Sequence, residues 1–110
     1  MHTKARGNIA EEAAARYLRE NGYRIIDRNV YNRFGEIDII AIRDEVLHFI
    51  EVKSATSYEV AVNNISPSKL QKLNRTIALY LQSKKLDLDY TVDAIIVVGD
   101  NIEFIENITL

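Results

Sequence analysis

The stretch "YTVDAIIVV", residues 90–98, constrains the fold more than any other part of the chain. It is apolar almost throughout, so as a strand it is buried on both faces, and a sheet holding such a strand must be covered by helices. Two segments can supply the cover. The first runs from about Asn8 to Asn21, where Ala10, Ala13, Ala14, Tyr17 and Leu18 recur at helical spacing and Gly22 offers a left-handed stop. The second opens at Ser66-Pro67, with a hydroxyl at the N-cap and a ring at the first helical position. It continues to about Ser83, with Leu70, Leu73, Ile77, Tyr80 and Leu81 along one side. Between the helices lie three strands: "YRIIDRNVY", then "EIDIIAI" after the turn "NRFG", then "VLHFIEVKSA" after the turn "RDE". Residues 56–65 read as a loop, and "GDNIEFIENI" reads as a short closing hairpin. The order α-β-β-β-α-β with that C-terminal hairpin predicts an α/β fold, a mixed sheet flanked by helices. At 110 residues the chain fits a single domain, residues 1–110, with one core.

Residues two apart on a strand share a face. Glu36 and Asp38 therefore point one way from the second strand, and Glu51 and Lys53 share a face of the third. Ile37, Ile39 and Ala41 are expected on the opposite face, as are Ile50 and Val52. Phe49, Ile40 and Ile42 share the charged face, so those charges are embedded among apolar side chains. Neighbouring strands lie roughly 5 Å apart. A register that sets Asp38 near Glu51 brings two carboxylates together, and like charges across strands are destabilising unless something compensates. A divalent cation would compensate. Mg²⁺ or Mn²⁺ prefers oxygen ligands, and an adjacent lysine can steer water or stabilise developing negative charge. Asp38, Glu51 and Lys53 thus carry the parts that phosphodiester hydrolysis requires. A polar strand face at solvent is the plainer alternative.

Composition narrows the partners. There is no cysteine, which excludes disulfides and thiolate-held metals. No apolar run reaches the roughly 20 residues that span a bilayer. The opening "MHTKARGNIAEEAAARYL" lacks the apolar core and cleavage site of a signal peptide, so a cytoplasmic location is expected. Net charge is −2, but it is segregated. Residues 65–85 hold Lys69, Lys72, Arg75, Lys84 and Lys85 and no acid. Residues 1–34 hold seven basic and four acidic side chains, while the acids concentrate in 35–64 and 86–110. Such a distribution permits one basic face on an acidic whole. His2 and His48 have no metal-ligand spacing, and His48 shares a face with Ile50 and Val52, as a core or edge histidine would.

An Asp, about a dozen residues, then Glu-x-Lys on the next strand resembles the PD-(D/E)xK nuclease superfamily. More narrowly, "GEIDIIA" followed by "FIEVK" resembles the YraN-like family of predicted endonucleases, relatives of archaeal Holliday-junction resolvases. The opening "GNIAEEAAARYLRENGYRIIDRN", the "SPSKLQKL" helix and the "YTVDAIIV" strand fall in that family's order. The residue before Asp38 is Ile37 rather than proline, so the "PD" is half present. The resemblance implies a restriction-endonuclease-like fold and a Mg²⁺- or Mn²⁺-dependent endonuclease acting on DNA, branched or single-stranded. Asp38 and Glu51 would be metal ligands and Lys53 the residue that orients or activates water. It further implies a glutamate from the first helix, and the family's spacing falls on Gly7, Glu11, Ala14, Tyr17 and Leu18. On the helical wheel Glu11 lies at the edge of the apolar arc, whereas Glu12 points away from it. Glu36 either touches the metal's water shell or pairs with Arg33 or Lys53. Lys69, Lys72 and Arg75 would meet DNA phosphates, Lys69 together with free N–H groups at the start of its helix. A symmetric four-way junction would call for a homodimer. The alternative is a nucleic-acid-binding or assembly module without catalysis.

Overall fold

The computed structural model describes residues 2–63 and 65–108, with side chains described from Asn8 onward except at Ala61. The element order is α1 (His2–Glu20), β1 (Arg24–Asn32), β2 (Gly35–Arg43), β3 (Val46–Ser54), α2 (Tyr58–Asn63), α3 (Pro67–Lys84), β4 (Tyr90–Val98) and β5 (Asn101–Ile105). The five strands form one sheet in the order β1-β2-β3-β4-β5. β3 and β4 run parallel and every other pair antiparallel. Parallel neighbours require a long crossover, which α2 and α3 provide. No helix among the described residues is long and apolar enough to cross a membrane.

The helices cover opposite faces. Ala14, Ala15 and Leu18 of α1 pack with Ile39, Ala41, Ile50, Ile95 and Val97. Leu73, Ile77 and Tyr80 of α3 pack with Ile40, Leu47, Phe49 and Val92. β4 contributes to both layers, as its composition requires. Gly22, at φ +85, ends α1: the Gly22 N–H bonds to the Arg19 carbonyl at 3.2 Å and the Tyr23 N–H to the Leu18 carbonyl at 2.9 Å. Ser66 caps α3, its Oγ accepting from the Lys69 N–H at 3.2 Å, with Pro67 as the first helical residue.

Three expectations need correction. α1 starts at His2 rather than near Asn8. The 56–65 segment is not wholly a loop, because it holds the single-turn-plus helix α2, capped by Ser57 Oγ accepting from the Val60 N–H at 3.3 Å. The closing hairpin is not internal to residues 99–108. It forms between β4 and β5 about Gly99-Asp100, with Val98 opposite Asn101. Beyond β5 the chain continues back along β4, where the Ile108 N–H bonds to the Val92 carbonyl at 2.7 Å.

Two buried polar side chains face each other across the centre of the sheet. His48 Nδ1 lies 2.6 Å from Asp93 Oδ2, and Thr91 Oγ1 donates to the same oxygen at 3.0 Å. Asp93 Oδ1 accepts from the Asn107 N–H at 2.8 Å, tying the C-terminal segment to β4. The His48 ring meets Tyr23 edge-on, centroids 5.0 Å apart. Asp93→Ala removes the acceptor of three donors at once and leaves His48 buried without its partner. It should destabilise the fold by about 3–5 kcal/mol, measured as a lowered urea midpoint at neutral pH.

Candidate active site

The β2–β3 ladder runs from Arg43/Val46 to Ile39/Ile50 and stops there. The next pair in that register is Asp38 and Glu51. On the other side of β2, Arg28 pairs with Ile39 and Val30 with Ile37, so Asn29 stands across from Asp38. Asn29 is left-handed, at φ 52, a conformation that interrupts a strand. The side-chain alternation slips here. Ile39 packs in the α1 layer, but Ile37 and Ile40 both pack in the α3 layer. Ile37 therefore does not share a face with Ile39 and Ala41, as strict alternation predicts. Outside the ladder, Asp38 turns its side chain onto β3, where Oδ2 accepts the Val52 N–H at 2.8 Å.

Asp38 is the most perturbed group at the site. Burial pushes its carboxyl up to about 7, and the nearby Glu51, Glu11 and Glu36 charges add to that, against the lowering effect of the Val52 N–H. Glu51 pairs with Lys53, Oε1 to Nζ 3.0 Å, both side chains about a quarter exposed at 23% and 24%. The two line a cavity with Lys69, Lys72 and Leu73 of α3, Phe34 of the β1–β2 turn, and Gly35 and Glu36 at the start of β2. Next to it, Ile65, Leu70 and Ile108 form an apolar wall against the same Glu51 and Lys53. Arg75 is exposed on α3 outside both linings.

Glu11 faces the sheet from α1, its side chain 16% exposed against 64% for Glu12. Burial raises the Glu11 pKa, Arg28 and a hydrogen bond from Asn29 oppose the rise, and Glu36 reinforces it. Arg28 Nη2 lies 3.8 Å from Glu11 and 2.8 Å from Glu12, while Arg28 Nε is buried without a hydrogen-bond partner. Glu36 is exposed at the cavity mouth. Its two expected partners are engaged elsewhere, Lys53 with Glu51 and Arg33 over the Phe34 ring at 4.7 Å. The side chains of His2, Lys4 and Arg6 lie outside the described residues.

Among the described residues, no three His, Cys, Asp or Glu side chains are grouped so as to hold a metal ion. Glu11 stays with Arg28, and its charge reaches Asp38 without completing a three-carboxylate set. The fit to a hard cation rests on Asp38 and Glu51, two oxygen-donor side chains consecutive in register. Mg²⁺ commonly uses one or two carboxylates, with water and phosphate oxygens completing its shell. The turn residues Phe34 and Gly35 and the helix residue Thr76 were not marked by any charge pattern, although they line the cavity. For Phe34 and Gly35 the signal is the "NRFG" turn itself, which leads directly into the carboxylate-bearing strand; none points to Thr76.

Residues 10–97 match the family described as "Uncharacterised protein family UPF0102". A UPF0102 protein of Sulfurimonas denitrificans is 57% identical over 108 residues, covering 98% of this chain and 99% of that one. One from Aliarcobacter butzleri is 48% identical over 109 residues, at 98% and 99% coverage. One from Helicobacter hepaticus is 48% identical over 110 residues, at 100% and 99%.

The raised Asp38 pKa has a consequence for stability. The folded state holds the Asp38 proton up to about pH 7, whereas an unfolded aspartate releases it near ~4. The contribution is therefore fully present below the unfolded value and lost as pH rises through the folded one. Asp38→Asn cannot ionise and keeps an oxygen for the Val52 N–H. Its melting temperature relative to the parent should rise steadily between pH 4 and 8, by roughly 5–10 °C in all. A difference that stays flat across that range would show that Asp38 is not desolvated.

Proposed function

The chain belongs to the UPF0102 family, and we propose that it is a metal-dependent endonuclease that hydrolyses phosphodiester bonds in DNA at structural irregularities such as branches. The observation that carries this reading is the meeting of Asp38 and Glu51 where β2 and β3 part, with Lys53 Nζ 3.0 Å from Glu51. The resemblance of Asp38 and Glu51-x-Lys53 to the PD-(D/E)xK pattern supports it independently. So does the cavity wall, in which Lys69 and Lys72 stand on the same side as Lys53.

Asp38 and Glu51 would hold the cation. Mg²⁺ or Mn²⁺ at that place supplies Lewis acidity toward a phosphoryl oxygen. Asp38 is oriented for the role by the Val52 N–H, which fixes one carboxylate oxygen. Lys53 is the residue that orients the attacking water and meets the negative charge that develops on phosphorus oxygens. Lys69 and Lys72 hold the DNA backbone against the cavity. Low overall charge means that these few phosphate contacts carry most of the electrostatic attraction.

A second reading, a nucleic-acid-binding or assembly module without catalysis, has its own support. Lys53 with Glu51, and Arg28 with Glu11 and Glu12, satisfy carboxylates internally.

Incubation with labelled linear duplex, single-stranded, flap and four-way-junction DNA in Mn²⁺ and in Mg²⁺ tests the proposal. Cutting should require the metal and fall at least about 100-fold in Lys53→Ala. Equal cutting by both preparations would mean a contaminant or a misassigned Lys53. Melting with and without Mn²⁺ provides a second readout, since a ligand that binds the folded state raises its stability. The parent should shift upward and Asp38→Asn should not. Absence of both cutting and shift would favour the module without catalysis.

A further inference from the structure

We propose that Ile108 is a positioning residue of the candidate active site: the chain beyond β5 is a strap that closes the apolar side of the Glu51–Lys53 pair and turns the Lys53 ammonium toward the cavity. The inference rests on the nuclease reading for the task of Lys53. On the β4 side the pair meets an apolar layer. Glu51 is in register with Ala94 and Lys53 with Ile96, both fully buried. Ile65 and Ile108 pack against those two. Ile65, Leu70, Leu73 and Ile108 line one small cavity together with Glu51, Lys53 and Lys69. On the other side, Glu51 and Lys53 open onto the larger cavity that Glu36 and Lys72 share. The ion pair therefore stands at a seam between an apolar wall and a polar opening.

Ile108 reaches that wall from beyond the end of the sheet, and backbone bonds fix its place. β5 ends at Ile105. Asn107 is left-handed, at φ 57, a conformation that asparagine tolerates better than most residues, and it sits where the chain turns back along β4. The Asn107 N–H bonds to Asp93 Oδ1 at 2.8 Å and the Ile108 N–H to the Val92 carbonyl at 2.7 Å. Asp93 is fully buried and is itself held by His48 and Thr91. The core thus sets where Ile108 lies, and Ile108 packs with the α3 layer as well as against Ala94 and Ile96. A lysine beside such a wall lays its carbon stem along the apolar side and keeps its charge toward water. Exclusion of water from one side also lowers the local dielectric, which strengthens the attraction of the ammonium to Glu51 and to a phosphate oxygen. A smaller or more polar residue at position 108 admits water to the wall and lets Lys53 Nζ leave the cavity.

Amine acetylation by an N-hydroxysuccinimide ester in EDTA, followed residue by residue with mass spectrometry, reads the Lys53 environment apart from cutting. The exposed Lys84 and Lys85 serve as references on the same chain. Lys53 should label more slowly than they do in the parent and several-fold faster in Ile108→Ala, with the references unchanged. Ile108→Val keeps an apolar wall and should behave as the parent. Ile108→Thr, which has the shape of valine but carries a hydroxyl, should shift in the direction of the alanine variant and stands in for it if that variant does not fold. In metal-dependent cutting, Ile108→Ala should lose about 10- to 100-fold in kcat with KM unchanged, and Ile108→Val should restore the rate. Lys53 labelling equal in the parent and in both disrupted variants, or a rise shared by Lys84 and Lys85, would overturn the proposal. Faster Lys53 labelling with undiminished cutting would overturn it too, and would leave the nuclease standing. The expected labelling shift without cutting by any preparation would sink the nuclease and keep the control of Lys53 by Ile108.

Discussion

β3 is paired along both edges, to β2 on one side and β4 on the other, and covered by a helix on each face. A polar group on such a strand has no easy access to water, so each must find a partner inside the protein. His48 finds Asp93 from the neighbouring strand. Lys53 and Glu51, where β3 emerges toward the open end of the sheet, find each other. The Val52 N–H, left without a ladder carbonyl where β2 turns away, finds the Asp38 carboxylate. The candidate active site is the place where this internal matching is incomplete.

The incompleteness is electrostatic. Glu51 and Glu11 each have a cation within 4 Å, but Asp38 has a backbone N–H and three acidic neighbours. Its carboxyl is held near neutrality by burial and by those neighbours. A pKa displaced by desolvation and like charge in a cleft is a frequent mark of a functional group. Lys53, Lys69 and Lys72 set positive charge around the cavity that Glu51 lines. The two ends of the sheet therefore differ: the His48–Asp93 pair is buried and matched, whereas Glu51 and Lys53 line a cavity.

Much of this was legible from residue patterns because the physics is local. A Ser-Pro helix start, a glycine C-terminal stop and period-two strands follow from a few adjacent side chains, and β4 matches its apolar run, residues 90–98. The misread parts depend on distant contacts. α2 is six residues long with β-branched Val60 and Val62, poor helix formers, and it forms where Ser57 caps it and β4 lies alongside. The tail after β5 was readable as a hairpin strand by itself, yet it runs back along β4 because Asp93 and Val92 accept its amides. Asp93 is the charged residue in an otherwise apolar strand, and its neighbours His48, Thr91 and Asn107 explain it.

By itself the sequence determined the layered α/β architecture, the limits of most elements, and the presence of Asp38, Glu51 and Lys53 on adjoining strands. Those outcomes follow from periodicity, caps and turn length, which act over a few residues. Tertiary structure alone decided that β2 and β3 part at Asp38, that Asn29 in a left-handed conformation stands across from it, and that Glu11 lies 3.8 Å from Arg28 while its charge also reaches Asp38. It also decided that the turn carrying Phe34 docks on α3 at Thr76. The reason is that register, burial and ion-pair choice are set by free energies summed over contacts between segments far apart in the chain, and no short pattern contains them.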